Sequence, residues 1–464
     1  MASNLSSGAG TSAFKMHLAP ENTGLWGVKQ TDEAAKKVTG LLQEDMEQHH
    51  VFFNKDHFHN HIPHHLLALY GTHCTSSSLF QQAYDNNVYY QRKALSPHTS
   101  TSSSSQSKED NKLFISPDDP WPSSAKQYLG KEEYYPDFLA FFQSELDKHG
   151  APHLLNKYLF NEPEEMMTRL FGGVLHPLIQ LMYGVEFNQP AIVAEALAQT
   201  AVHSDQYREF LLPAESRSRE GGSKKKPMRK IIDLLNEIKT NENLSKAARN
   251  EDSQKIFDGV LGRAREEMLG LAARVQIGAE EIDERTAEMF HDCVYVAAAA
   301  ARNGGTKRGK VDKFDFFLMH HVNSSPIFVT INAQDWISKE TKARMLEWKI
   351  RMDLLQYAAR GVPELGMDKL TGYKPRDEKE GEGIQDIIFR LHKYPDDGHA
   401  IKLGRATVIC RNICKKYEEQ DKDWVQIRGD DVWKKICHLI VDSVEAPGDT
   451  WVRSAGFKEA WEVC

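Results

Sequence analysis

Pro395-Asp396-Asp397-Gly398-His399-Ala400-Ile401-Lys402 is a turn that runs straight into a helix. Proline, aspartate and glycine are turn formers for separate physical reasons. The apolar positions that follow (Ile401, Leu403, Ala406, Val408, Ile409) read as helical. Asp396 or Asp397 is a candidate N-cap, because a short carboxylate accepts hydrogen bonds from the first free N–H groups. His399 and Lys402 then leave the first turns three residues apart, on one face. Such a pair is either a solvated corner or half of a reactive site.

The same helical period recurs along the chain. Residues 32–48 carry Ala34, Ala35, Val38, Leu41, Leu42 and Met46 on one face. Pro63 opens a helix through Leu66, Leu67 and Leu69, with His61 at its start. His176 precedes Pro177 and should lie at a bend before the next helix. Further helices are predicted at 134–148, 253–275, 284–302, 339–360, 402–417 and 431–444, and only 327–331 reads as strand. The expectation is an all-α protein, a single large multi-helix domain over residues 31–464. Residues 1–30 are expected as a partly ordered segment, and 96–112 and 213–230 as long polar, mobile loops. Length alone allows about two to four domains, but no shift in composition marks a boundary.

With 464 residues, 40% hydrophobic and 27% charged, the chain can bury a large core. A formal charge of -8 argues against a general nucleic-acid binder. The cationic run at Lys224, Lys225, Lys226, Arg229 and Lys230 reads as a solvated loop. Residues 1–11 hold no apolar core of a secretory signal. No run of about 18 apolar residues predicts a membrane span. Six cysteines in so long a chain are no disulfide framework, and Cys410 and Cys414, one helical turn apart, read as core thiols. A reducing, cytoplasmic location fits this usage.

No strand–Gly-x-Gly-x-x-Gly–helix unit is present, since Gly381 and Gly383 lie in a charged segment without a third glycine. A Rossmann-type site for NADPH or FAD is therefore unsupported. There is no P-loop, Gly-x-Ser-x-Gly elbow or His-Glu-x-x-His motif. Of 20 histidines, His61, His176, His320 and His399 stand beside apolar or Gly/Pro bends and away from charged runs. Three of them fall at predicted helix N-termini, where the dipole disfavours an imidazolium and keeps the metal-binding neutral ring. Each alone reads equally as a hydrogen-bonded core histidine. His64, His65, His203, His291 and His321 form a second tier that orients ligands, acts on substrate protons or simply packs. Lys402 beside a ligating His399 would set two cations together. Buried, it would become a neutral amine able to take up CO2 as a carbamate, an anionic oxygen ligand. A snorkelling surface lysine is the alternative, and Lys349 is the reserve candidate.

At these residues the chain resembles the questin oxidase-like family of fungal aromatic polyketide pathways. The resemblance is carried by Phe58-His59-Asn60-His61-Ile62-Pro63, Gly173-Val174-Leu175-His176-Pro177-Leu178-Ile179, Phe316-Phe317-Leu318-Met319-His320, Asp396-Asp397-Gly398-His399-Ala400-Ile401-Lys402 and residues 451–461. It implies an oxygenase that opens the quinone ring of an anthraquinone or related aromatic polyketide. The family is described as NADPH-dependent Baeyer–Villiger oxidases, yet no flavin or dinucleotide fingerprint is present. The resemblance implies instead a mononuclear non-haem iron, Fe(II), with O2 as co-substrate. Its ligands would be His61, His176, His320, His399 and a carboxylated Lys402, leaving one octahedral position open. The alternatives are an NADPH-dependent Baeyer–Villiger oxidase, a non-catalytic helical polyketide-binding scaffold and a zinc hydrolase.

Overall fold

The structure is a computed structural model that describes residues 11–53, 58–98, 115, 125–161, 164–220, 228–304 and 311–462. Among them the regular elements are all helical, and β-structure is limited to isolated bridges. The chain is a helical domain, as expected, in which two compact units can be distinguished. One comprises residues 1–208, 333–337 and 395–398, the other 209–332, 338–394 and 399–464.

In the first unit, α1 (Asp32–Gln48) begins at Thr31, whose side chain accepts from the Ala34 N–H at 3.1 Å. Its buried face includes Ala34, Ala35, Val38, Leu41 and Leu42, the stripe read from the sequence apart from Met46, which is half-buried. α2 (Ile62–Gly71) has His61 at its N-cap position and is buried along its whole length. α3 (Tyr135–His149) buries Phe138, Phe141 and Phe142. α4 (Gly172–Glu186) and α5 (Pro190–Val202) pack tightly where Gly184 meets α5. A Cβ on Gly184 would come within 2.8 Å of the Val193 backbone nitrogen, so only glycine permits this crossing. Residues 11–30 are tied down rather than loose. The Ala13 N–H donates to Asp147 at 2.7 Å and the Leu25 N–H to Glu186 at 2.7 Å.

In the second unit, α6 (residues Glu209–Glu220 of the helix Arg208–Glu220) occupies part of the segment expected as a linker. Pro213 sits within it, and the buried Phe210, Leu211 and Ala214 hold the helix against that residue's cost. Residues 221–227 of that expected loop, and 99–112 of the other, lie outside the described residues. α7 (Ile282–Ala301) is buried almost throughout and ends in the alanine run that lets neighbours approach closely. α8 (Phe316–Ser324) starts on Asp315, whose carboxylate accepts from the Phe317 and Leu318 N–H groups at 2.8 and 3.1 Å. α9 (Pro326–Asn332) replaces the predicted strand at 327–331. Pro326 starts this helix, and burial of Ile327, Phe328 and Ile331 overrides their β propensity. α10 (Lys339–Ala359), α11 (His399–Glu419) and α12 (Asp430–Glu445) complete the scaffold. Residues 253–275, expected as one helix, break into a π-turn at Lys255–Val260 and shorter helices, with a break in helical geometry at Ala264. The five described cysteines are buried free thiols. No helix among the described residues is long and apolar enough to cross a membrane.

Candidate functional site

His61 and His176 meet inside the first unit. Their Nε2 atoms face each other at 2.9 Å, and both side chains are buried. Each is aimed by its backbone. His61 is held at the start of α2 by Asn60, whose Oδ1 accepts from the Ile62 N–H at 2.9 Å. Asn60 in turn donates to both oxygens of the fully buried Asp45, at 3.1 and 3.0 Å. His176 follows three successive residues in the left-handed region: Gly173 (φ 51°), Val174 (φ 54°) and Leu175 (φ 67°). A β-branched residue in that region is strained, and such strain concentrates at functional sites. The turn brings the Gly173 carbonyl round to accept from His176 Nδ1 at 2.6 Å. That bond puts the ring proton on Nδ1 and the lone pair on Nε2, the tautomer a metal ligand needs.

His320 and His399 meet in the same way inside the second unit, with Nε2 atoms 3.1 Å apart and both rings buried. His320 Nδ1 donates to the Phe316 carbonyl one turn back at 2.5 Å, again leaving the lone pair on Nε2. His399 is the first residue of α11. Gly398 before it has φ 87°, and Asp396 closes the turn by accepting from the Gly398 N–H at 2.8 Å. The Asp397 carboxylate lies 3.6 Å from His61 Nδ1, within the first unit, and favours the proton there.

Two lone pairs facing at this distance repel unless a proton or a metal cation lies between them. Two nitrogens bound side by side to one ion at about 2.1 Å each lie roughly 3 Å apart. Each pair therefore has the donor chemistry and spacing of two adjacent metal ligands. Lys402 is buried at 3% exposure one turn along α11 from His399, so the snorkelling reading does not hold. Lys349 has another job. Burial works against its charge, but Asp353 at 2.5 Å and the Cys293 thiol hold its pKa above the ordinary lysine value. An ammonium so paired has no lone pair to offer CO2.

The second tier sorts by its partners. His203 Nε2 faces His59 Nε2 at 2.7 Å, and the His59 ring stacks on His176 with centroids 4.3 Å apart. Burial, then the Arg169 guanidinium, pulls the His203 pKa down to about 3, so this ring stays neutral. His64 Nε2 donates to Gln180 Oε1 at 2.5 Å, and Gln180 donates to Glu195 at 2.8 Å. His65 packs under Gly398, where any Cβ would come within 2.7 Å of its side chain. His291 accepts from the Ile427 N–H at 3.0 Å and is a core residue. His321 bonds Asp353 at 2.5 Å and, with Met289, Leu318 and Tyr357, lines a cavity of about 20 Å³ in the second unit. That volume takes a water-sized molecule and not a tricyclic.

Sequence reading passed over His59, Asn60 and Asp397 as site residues. The adjacency of His59 and Asn60 to His61 was the available signal.

Residues 58–407 match the family described as questin oxidase-like. The chain belongs to the questin oxidase-like family. Relatives align along nearly all of it. The Baeyer-Villiger oxidase ptaJ of Pestalotiopsis fici is 34% identical over 98% of this chain and 98% of its own. The questin oxidase of Aspergillus fumigatus is 32% identical over 93% and 94% respectively. The oxidoreductase AflY of Aspergillus parasiticus is 33% identical over 90% and 81%. As a questin oxidase-like protein with such relatives, the chain is an oxidoreductase.

Proposed function

We propose that this protein is an oxygenase that opens a ring of an anthraquinone-type polyketide with O2. In this reading one iron ion is held by His61, His176, His320 and His399. The observation that carries it is the pairing of buried imidazoles through Nε2 within each unit, His61 with His176 and His320 with His399. The substrate class comes from the relatives, among them one named questin oxidase. Iron bound there supplies the redox chemistry that couples a ring carbon–carbon bond to O2.

The chain's own residues fix the ligands. The Gly173 and Phe316 carbonyls hold the protons of His176 and His320 on Nδ1 and keep both Nε2 atoms deprotonated. The Asp397 carboxylate lies 3.6 Å from Nδ1 of a third ring, His61. Four neutral imidazoles leave the full charge of a divalent ion uncompensated. Lys402 answers this as a carbamate. Its Nζ adds to the carbon of CO2, a nitrogen–carbon bond forms, and one proton leaves to water, giving a monoanionic oxygen donor. Its burial one turn from His399 supports that assignment.

The second reading is a Baeyer–Villiger oxidase that draws electrons from NADPH, favoured by the names of relatives such as ptaJ. Turnover of questin with and without NADPH separates the two. The iron reading expects aerobic ring opening without NADPH and its loss on chelation. An absolute NADPH requirement with full activity in metal-free protein would sink it.

A further inference from the structure

The C-terminal segment at 450–457 runs beside the start of α8. The Phe316 N–H donates to the Val452 carbonyl at 2.8 Å, the Val452 N–H donates to the Phe314 carbonyl at 3.0 Å, and Asp315 and Val452 form a parallel bridge. Val452 is buried at 2% exposure, whereas its neighbours Trp451 and Arg453 are half-buried and exposed respectively. The Phe316 ring, also half-buried, meets Arg453 but not Trp451. The Arg453 guanidinium lies 5.1 Å from the Phe316 centroid, and the Trp451 ring lies 6.2 Å from His399. The Phe316 ring stands 4.6 Å from His320 and 5.5 Å from His399. Among the described residues no carboxylate pairs with Arg453, which is exposed.

We propose that Phe316, Trp451 and Arg453 form a binding platform for a planar aromatic bearing an acidic phenolic hydroxyl, taken as its phenolate. Partly exposed aromatic rings take flat rings by stacking. A guanidinium without a carboxylate partner is the complement of an anionic oxygen. The phenolic proton leaves to water, and the phenolate oxygen settles on Arg453. The ring then rests at the edge of the His320–His399 pair, where its electron-rich form is the one that reacts with an oxidant. The proposal rests on the anthraquinone reading above and adds the ionisation state and the groups that select it.

Anaerobic titration of the iron-loaded protein with 2-hydroxyanthraquinone tests it, with 2-methoxyanthraquinone as the probe that cannot ionise. Wild type should bind the hydroxyl probe more tightly and show the red-shifted phenolate band. Arg453→Ala should lose the band and bind the hydroxyl probe about tenfold more weakly, while Arg453→Lys keeps the band. Trp451→Ala should weaken both probes about tenfold, and Trp451→Phe much less. Iron content should be unchanged in all four variants. Wild-type affinities and spectra in Arg453→Ala and Trp451→Ala would overturn the platform alone. A wild type that takes up neither probe would overturn both the platform and the substrate class.

Discussion

His176 and His320 reach the same protonation state by different backbones. His320 uses the carbonyl one turn back in a regular helix, whereas His176 needs a three-residue left-handed turn to bring Gly173 round. That turn leaves no room for a side chain. A Cβ on Gly173 would lie 2.8 Å from His59 Cε1 and still closer to the ring of His203. Gly173→Ala should therefore cost about 2–4 kcal/mol in denaturant unfolding, from positive φ and overpacking together. It should also lower the metal content, because His176 loses its anchor. Unchanged stability would mean the turn relaxes freely. The four histidines were legible from their neighbours: Ile62-Pro63, Leu175 and Pro177, Phe316 to Met319, and Gly398. Their pairing was not, because a nitrogen–nitrogen contact across 115 residues leaves no local trace. Nor does any residue preference announce Val174 and Leu175 in the left-handed region, where neither is favoured.

Asp315 serves two elements at once. One oxygen caps α8 and the other accepts from the Ala455 N–H at 2.8 Å, fastening the C-terminal segment. Asp315→Ala should cost about 2–4 kcal/mol, the sum of a lost cap and a buried N–H left without its acceptor. Amide hydrogen exchange should rise at both Phe317 and Ala455, and faster exchange at Phe317 alone would show the two roles to be separate. Elements with a clear 3.6-residue stripe, such as α1, were readable at this scale. α9 was not, since burial of Ile327 and Phe328 outweighs their intrinsic preference and a short apolar run fits helix or strand alike. α6 was missed because Pro213 and the charged residues around it imitate a linker.

Across the whole molecule, buried titratable groups set how stability varies with pH. Burial lowers the pKa values of His50, His203 and His291 from 6.5 to about 3. The unfolded chain binds more protons at these sites between those values, so stability is lost as pH falls through the window. Burial, aided by a neighbouring carboxylate, raises Glu195 from 4.5 to about 8 and Glu288 from 4.5 to about 7. For these the folded state binds more protons, and stability is lost as pH rises toward the folded values. Below pH 6.5 the histidines and the glutamates oppose each other, and above it the histidines no longer act while the glutamates, with Asp292 also raised by burial, still do. Denaturation midpoints should therefore fall between about pH 6.5 and about pH 8, and a midpoint still climbing through pH 8 would contradict this assignment. At this scale the helical class was plain from periodicity. The central claim, that two histidine pairs serve one ion, is tested most directly by iron stoichiometry on anaerobically purified protein. Wild type should hold one iron per chain, and His61→Ala, His176→Ala, His320→Ala and His399→Ala should each lose most of it. Two ions per chain, or full iron in three of the four variants, would contradict the claim.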